Sequence, residues 1–297
     1  MTQESTQARA KRDSAWKSFL QNLGRLLRTP AGIIGFVVLL FFIVIAILGP
    51  RITPFPYTEQ HYRDALLAPN STYWFGTDQF GRDVFSRVIM GTRSILTLAF
   101  SATFLGLLLG IVVGLCAGYF GKLTDEILMR SMDIVMSFPS LLLALLILSV
   151  FGTGLIKIII GIGFVFMPRV ARVVRSVVLD LKTHEFVDAA KVRGESAIYI
   201  MTQEILPNAM GPITVEASIR ISYAILLGAS LGYLGLGVPP PSPDWGLQVS
   251  EGRAMLLIAP WIVVAPSLAI AVLVIGVNLL ADGLRQVLEI SQSAGQE

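Results

Sequence analysis

Asp188-Ala189-Ala190-Lys191-Val192-Arg193-Gly194, followed after eleven residues by Leu206-Pro207, is a polar island between long apolar stretches. Small residues, a glycine and then a proline specify a short surface helix, a turn and re-entry into a further helix. Ala189 and Ala190 carry no bulk to obstruct a partner. Gly194 permits a left-handed or tightly turned backbone. Pro207 is tolerated in the first turn of a helix and is expected to start the next span. Between them Ala197, Ile198, Ile200 and Met201 make an apolar patch flanked by Lys191, Arg193 and Glu195. Such a segment suits docking into a groove on another protein, and it equally suits a plain amphipathic connection.

The surroundings of the island read as membrane. Of 297 residues, 54% are hydrophobic and 14% charged, whereas soluble domains carry about 25% charged residues. No charge interrupts residues 31–50, 94–121, 134–156, 221–243 or 254–281. A helix needs about 20 apolar residues to cross the hydrocarbon layer, and backbone groups in lipid must be satisfied internally, so each run is expected to be a helix. A shorter run, 158–168, extends to a span over 155–175, with Lys157 snorkelling at one end and Arg169, Arg172 and Arg175 emerging at the other. The expected spans are 31–49, 94–120, 132–152 (kinked at Pro139), 155–175, 210–236 and 260–281: an all-α membrane protein of six transmembrane helices.

The first run follows a charged N-terminal segment of about 30 residues, too far in for a cleaved signal peptide, and reads as a retained span. Within residues 12–28, Trp16, Phe19, Leu20, Leu23, Leu26 and Leu27 recur at helical spacing among Arg12, Lys17, Arg25 and Arg28. That pattern fits an interfacial helix on anionic lipid or an ordinary surface helix. Six spans with a cytoplasmic N-terminus place fifteen Lys and Arg inside and seven outside, as the positive-inside rule requires. Both termini and the Asp188–Pro207 loop then face the cytoplasm. The expected organisation is a tail with the interfacial helix (1–30), a first span with an outer segment (31–93), a core of spans (94–285) containing the inner loop 180–207, and a tail (286–297).

Gly106, Gly110, Gly114 and Gly118 form a ridge on one face of the second span, where another helix can approach closely. Glu216 and Arg220 are ionisable residues inside a span and share a helical face. They fit a pore lined by both signs, and they fit mutual neutralisation near the cytoplasmic boundary. Asn278 and Asp282 share a face at the inner end of the last span, where they are expected to hold that helix against its neighbours. Gly76, Gly81 and Gly91 with Asp78, Arg82 and Asp83 predict a compact turn network outside the membrane, serving either to cap the second span or to meet substrate. The Pro239–Pro243 run cannot be regular helix. With Asp244 and Trp245 it is expected to form an outward loop that shapes a pore mouth or contacts a delivery protein.

Four segments carry a family resemblance. The first is the Asp188 loop. The second is Phe75-Gly76-Thr77-Asp78-Gln79-Phe80-Gly81-Arg82-Asp83-Val84, continuing through Ser86-Arg87 and Gly91-Thr92-Arg93. The others are Leu231–Gly246 and Asn278–Arg285. Together they resemble the permeases of ATP-binding-cassette importers, and specifically the shorter, C-type permease of the dipeptide, oligopeptide and nickel importers. Asp188 stands where many members have Glu, and Glu204 where an apolar residue or histidine is expected. The resemblance implies a type I importer permease of the bacterial inner membrane. Asp188, Ala189, Ala190, Gly194, Leu206 and Pro207 would belong to coupling helices that seat in a cleft of the ATPase. It further implies a heterodimer with a second permease, two cytoplasmic ATPase subunits that bind ATP and magnesium, and an extracytoplasmic substrate-binding protein. The substrate class stays open among peptides, nickel chelates, opines and sugars.

Other classes find little support. Gly121-Lys122 is followed by Leu123, which fails the phosphate-binding loop signature, so hydrolysis is expected on partners and no cofactor on this chain. The lone Cys116 permits no intrachain disulfide or cysteine metal site. His61 and His184 lie far apart. The net charge of +3 does not point to nucleic acid. An intramembrane lipid-modifying enzyme would need convergent acid–base or metal residues, for which only Glu216 and Arg220 qualify. An ungated channel would conduct without an ATPase.

Overall fold

The computed structural model describes Gly24, Leu26 and residues 29–293; the expected interfacial helix otherwise lies outside them. Nine helices are defined among these residues: α1 Pro30–Ile52, α2 Val84–Phe120, α3 Lys122–Met136, α4 Ser140–Phe151, α5 Leu155–Leu181, α6 Glu185–Val192, α7 Ala197–Tyr233, α8 Trp245–Gly252 and α9 Trp261–Ser293. No strand is present among them beyond a single bridge, Thr77 to Asp83.

Four helices, α1, α2, α7 and α9, are long and apolar enough to cross a membrane. Thr29 starts α1 by accepting a hydrogen bond from the Gly32 amide, with Pro30 in the first turn where its missing N–H costs nothing. Ile34, Val37, Phe41, Val44 and Ile47 of α1 are exposed, as a lipid-facing helix requires. Asp83 caps α2 at Val84, ten residues before the charge-free run begins. In this first part Arg87 is paired with Asp78 and Glu251 and Arg93 is exposed, so the helix starts earlier than hydropathy alone indicates.

One expected span takes another form. The span 132–152 is not one kinked helix: α3 and α4 are separate and bent by 88°. Pro139 supplies no amide, and the residue before a proline is pushed out of helical conformation. α3 begins at Lys122 and is amphipathic. Its Asp125 pairs with Arg175 of α5 at 2.5 Å, and Asp133 pairs with Arg172. Two of the three basic residues expected to emerge from a lipid boundary, Arg172 and Arg175, are thus met by a second helix. α5 runs 27 residues but carries too many charges to pass as a span by composition. Its apolar face (Ile158, Ile162, Phe166, Val170, Val174 and Val178) is buried by protein.

Close helix contacts follow the glycines. A Cβ on Gly106, Gly110, Gly114 or Gly118 of α2 would come within 2.5–2.8 Å of atoms of α5. α1 and α9 meet the same way, where Gly35 approaches the Leu280 amide and Gly276 approaches Val38. In lipid, such packing replaces the hydrophobic drive between helices. Asn278 and Asp282 are both exposed, so these glycines hold α9 to its neighbour and the two polar residues do not.

Candidate functional site

The polar island folds into an elbow of two helices. α6 ends in a paired capping pattern: the Gly194 amide donates to the Lys191 carbonyl at 3.0 Å and the Glu195 amide to the Ala190 carbonyl at 3.2 Å. That motif places its turning residue in the left-handed region, and Gly194 has φ +77°. Ser196 then caps the next helix, accepting from the Tyr199 amide at 3.2 Å.

Pro207 stands in the first turn of an α-helical stretch, Leu206–Tyr233, as expected, but the helical path begins earlier. α7 begins at Ala197 and passes through a π-helical segment, Ile200–Ile205, immediately before Leu206-Pro207. A proline inside an α-helix removes one hydrogen bond and crowds the carbonyl four residues back. The wider π turn accommodates both.

The elbow has an inner and an outer side. Val187, Ala190, Ile200, Met201 and Ile205 are buried together against Val174 and Val178 of α5. Ile200 and Met201 are therefore core, contrary to the docking role expected of them, because one side of α7's first turns faces α5. Ala190 is small because it is enclosed by its own chain. The outer side exposes Asp188, Ala189, Val192, Gly194, Ile198 and Pro207, with Leu206 half-buried. Val192 and Ile198 are 89% and 70% exposed. Lys191 pairs with Asp188 at 2.9 Å, and Arg193 with Glu204 at 3.0 Å. The unexpected glutamate at 204 is explained by that second bridge, which ties the two arms of the elbow together.

Farther along α7, Glu216 Oε1 lies 2.7 Å from Arg220 Nε, both side chains nearly buried. The pair stands about five turns from the start of α7, deeper than the one or two turns that a start near residue 210 implied. The Arg220 guanidinium also lies 5.0 Å from the Tyr223 ring centroid and 5.6 Å from that of Phe166, a favourable setting for a desolvated cation. Arg220 borders a cavity of about 280 Å³ between α4, α5 and α7.

The five residues expected around an outer mouth, Asp78, Arg82, Asp83, Asp244 and Trp245, are all buried in an outer cap on the helix bundle. Asp78 accepts from Arg82 Nε at 2.5 Å and from Arg87 Nη1 at 3.3 Å. Both arginines reach Glu251 of α8, at 2.6 and 3.2 Å. Two guanidiniums and two carboxylates thus close a compact, neutral network. Asp83 caps α2 through the Ser86 amide and hydroxyl. Trp245 is fully enclosed, and its Nε1 donates to the Val88 carbonyl at 2.9 Å. Gly91 passes beneath it: a Cβ there would stand 2.6 Å from the indole and 2.3 Å from the Pro243 carbonyl. These side chains shape the outer face from within, and the exposed surface above them is Leu234, Gly235 and Pro239–Pro241. Arg87 lay within a recognised segment without a role, and Glu251 carried no sequence signal, since its partners are 164 and 169 residues away.

Asp244 caps α8 through the Leu247 amide at 2.9 Å. Burial pushes its carboxyl up from 3.8 to about 6, against the pull of the Leu247 and Gly246 amides. The folded chain therefore binds more protons than the unfolded chain between those values, so cap stability falls as pH rises through them and is level above. Lowering the pH from 7.5 to 4.5 is expected to stabilise the cap by about 2 kcal/mol through this group. The check is thermal unfolding of wild type against Asp244→Asn. The difference between them should vary over that range, and a constant difference would refute the assignment.

A family model described as binding-protein-dependent transport system inner membrane component matches residues 106–291, and one described as the N-terminal TM domain of oligopeptide transport permease C matches residues 14–69. The dipeptide transport system permease protein DppC of Alkalihalophilus pseudofirmus is 39% identical, over 93% of this chain and 90% of the relative. The glutathione transport system permease protein GsiD of Pectobacterium atrosepticum is 36% identical, over 92% and 90%. The oligopeptide transport system permease protein OppC of Bacillus subtilis is 36% identical, over 93% and 90%. Among solved structures, an inward-facing MetNI methionine ABC transporter aligns with a TM-score of 0.55 at 20% identity, over 68% of this chain and 96% of that one, a likeness of fold. With its elbow, its glycine-seamed helices and these matches, the chain belongs to the binding-protein-dependent transport system inner membrane component family, among its dipeptide and oligopeptide permeases.

Proposed function

We propose that the chain is one of two permease subunits of an ATP-driven peptide importer, and that the Gly194 elbow is where an ATPase subunit grips it. The supporting observation is the elbow's two-sided construction. Its inner side is core, while its outer side presents Val192 and Ile198, two large apolar residues that nothing among the described residues covers, rimmed by Lys191, Asp188 and Arg193. That combination fits an apolar groove with a charged edge. A push on the elbow would act on α6 and on the foot of α7, whose far portion carries Glu216 and Arg220.

The assembly in this reading contains a second permease, two ATPases that hold ATP and magnesium, and an outer binding protein. The N-terminus and the elbow face the cytoplasm, as the fifteen-to-seven bias of basic residues supports. Peptides are the proposed cargo because dipeptide, glutathione and oligopeptide permeases are all similar to this chain over more than nine-tenths of its length. The test is uptake of a labelled dipeptide into proteoliposomes holding the full complex with its binding protein. Uptake is expected only with hydrolysable ATP. Uptake by the permeases without ATPase subunits would overturn the proposal.

A further inference from the structure

Two adjoining cavities, of about 270 and 280 Å³, share Ser140, Val165 and Arg169 in their walls. They lie where α4 breaks from α3 and faces α5 and α7. The charged residues in their walls are Arg169 and Arg220, both cations, and no carboxylate borders either cavity. Arg220 is 7% exposed, and its one acidic partner, Glu216, engages Nε; its Nη groups make no hydrogen bond among the described residues. Arg169 stands near the middle of α5, exposed at the mouth of the hollow, and has no ion pair or hydrogen bond among the described residues. The 12-residue helix α4 begins at the same hollow. Pro139 occupies its cap position, so no side chain accepts from the first-turn amides.

Each feature is positive, and they converge. Arg220, a buried cation within a span, requires a counter-ion or water-filled space. Glu216 answers one of the two arginines, leaving an excess of one positive charge beside an uncapped helix start, itself favourable to anions. Tyr223 and Ser230 add hydroxyls to the wall. The joint size suits a small ligand group, near the lower end of the usual range of about 300–1,000 Å³.

Resting on the peptide-importer reading, we propose that this hollow is a transit subsite for the C-terminal carboxylate of the translocated peptide. Arg169 is its principal partner and Arg220 the second. Guanidinium and carboxylate match in a two-pronged geometry. Glu216 tempers the attraction, because a site on a transport path must release what it holds.

The test uses the complete transporter in proteoliposomes, with dialanine or dialanine amide delivered already bound to the binding protein, and follows a single turnover. Arg169→Gln is expected to slow the free acid at least tenfold while leaving the amide unchanged or faster, and Arg169→Lys to restore most of the acid rate. Equal loss for both peptides, or an acid preference that survives Arg169→Gln, would overturn the subsite. If the wild-type complex moves neither peptide, the peptide reading is what has failed. The subsite is then judged by Ser230→Cys in a Cys116→Ala chain. Modification by an anionic relative to a cationic thiosulfonate should drop at least fivefold on adding Arg169→Gln, and an unchanged ratio would refute the anion site whatever the cargo.

Discussion

Gly194→Val is expected to reduce ATP-driven uptake by at least a hundredfold while the chain still inserts and assembles with its partner permease. At φ +77° an L-residue carries a penalty of about 1–2 kcal/mol, and a β-branched one fits that region worse still. Relief of the strain breaks the two capping hydrogen bonds to Lys191 and Ala190 and changes the angle between α6 and α7. Val192 and Ile198, one on each arm, then no longer lie at the spacing that a groove would fit. A Cβ on Gly194 meets nothing within 4 Å among the described residues, so the fold itself has room for the substitution. Gly194→Ala should lie between wild type and valine. Paired uptake and ATPase assays check this, and wild-type uptake by Gly194→Val would remove the elbow from the coupling path.

The second large effect concerns the outer cap. Arg87→Met leaves Asp78 and Glu251 sharing Arg82 alone, with excess negative charge in a site where Arg87 is 1% and Asp78 3% exposed. Removing one partner of a buried ionic group costs about 3–5 kcal/mol, whereas replacing the ions together costs far less. The thermal midpoint is expected to fall by roughly 10 °C. Adding Glu251→Gln to Arg87→Met restores one-to-one charge and should recover at least half of that loss. An Arg87→Met chain as stable as wild type would show that the network holds nothing in place.

The sequence was most legible where one kind of solvent acts on a whole helix. α1, α2, α7 and α9 are long and apolar enough to cross a membrane, and their charge-free runs record it. The ridge from Gly106 to Gly118 was also readable, since a four-residue glycine period has few other uses. α5 was harder: packed against protein along one face and paired with α3 through Arg172 and Arg175, it can carry these charges, and its hydropathy no longer reports its position. The break at Pro139 was read as a kink because the partners that hold α3 aside, Arg172 and Arg175, are distant in sequence. Pro207 was legible as a first-turn residue, but nothing in composition announces the π turn before it. At the elbow, residue types gave the turn at Gly194 but not which side of each helix faces inward, so Ile200 and Met201 were placed on the wrong side. The Arg87–Glu251 contact depends on tertiary closure alone.

The seam between α2 and α5 bears on how such a molecule changes shape. Where four glycines let one backbone rest on the next helix, sliding or tilting would drive side chains such as Val170 and Val174 into main-chain atoms. The two helices must therefore travel as a single stave. Rearrangement is confined to looser joints, among them the hollow beside α4, and a tug at the base of α7 is delivered there instead of being lost as bending within the welded pair.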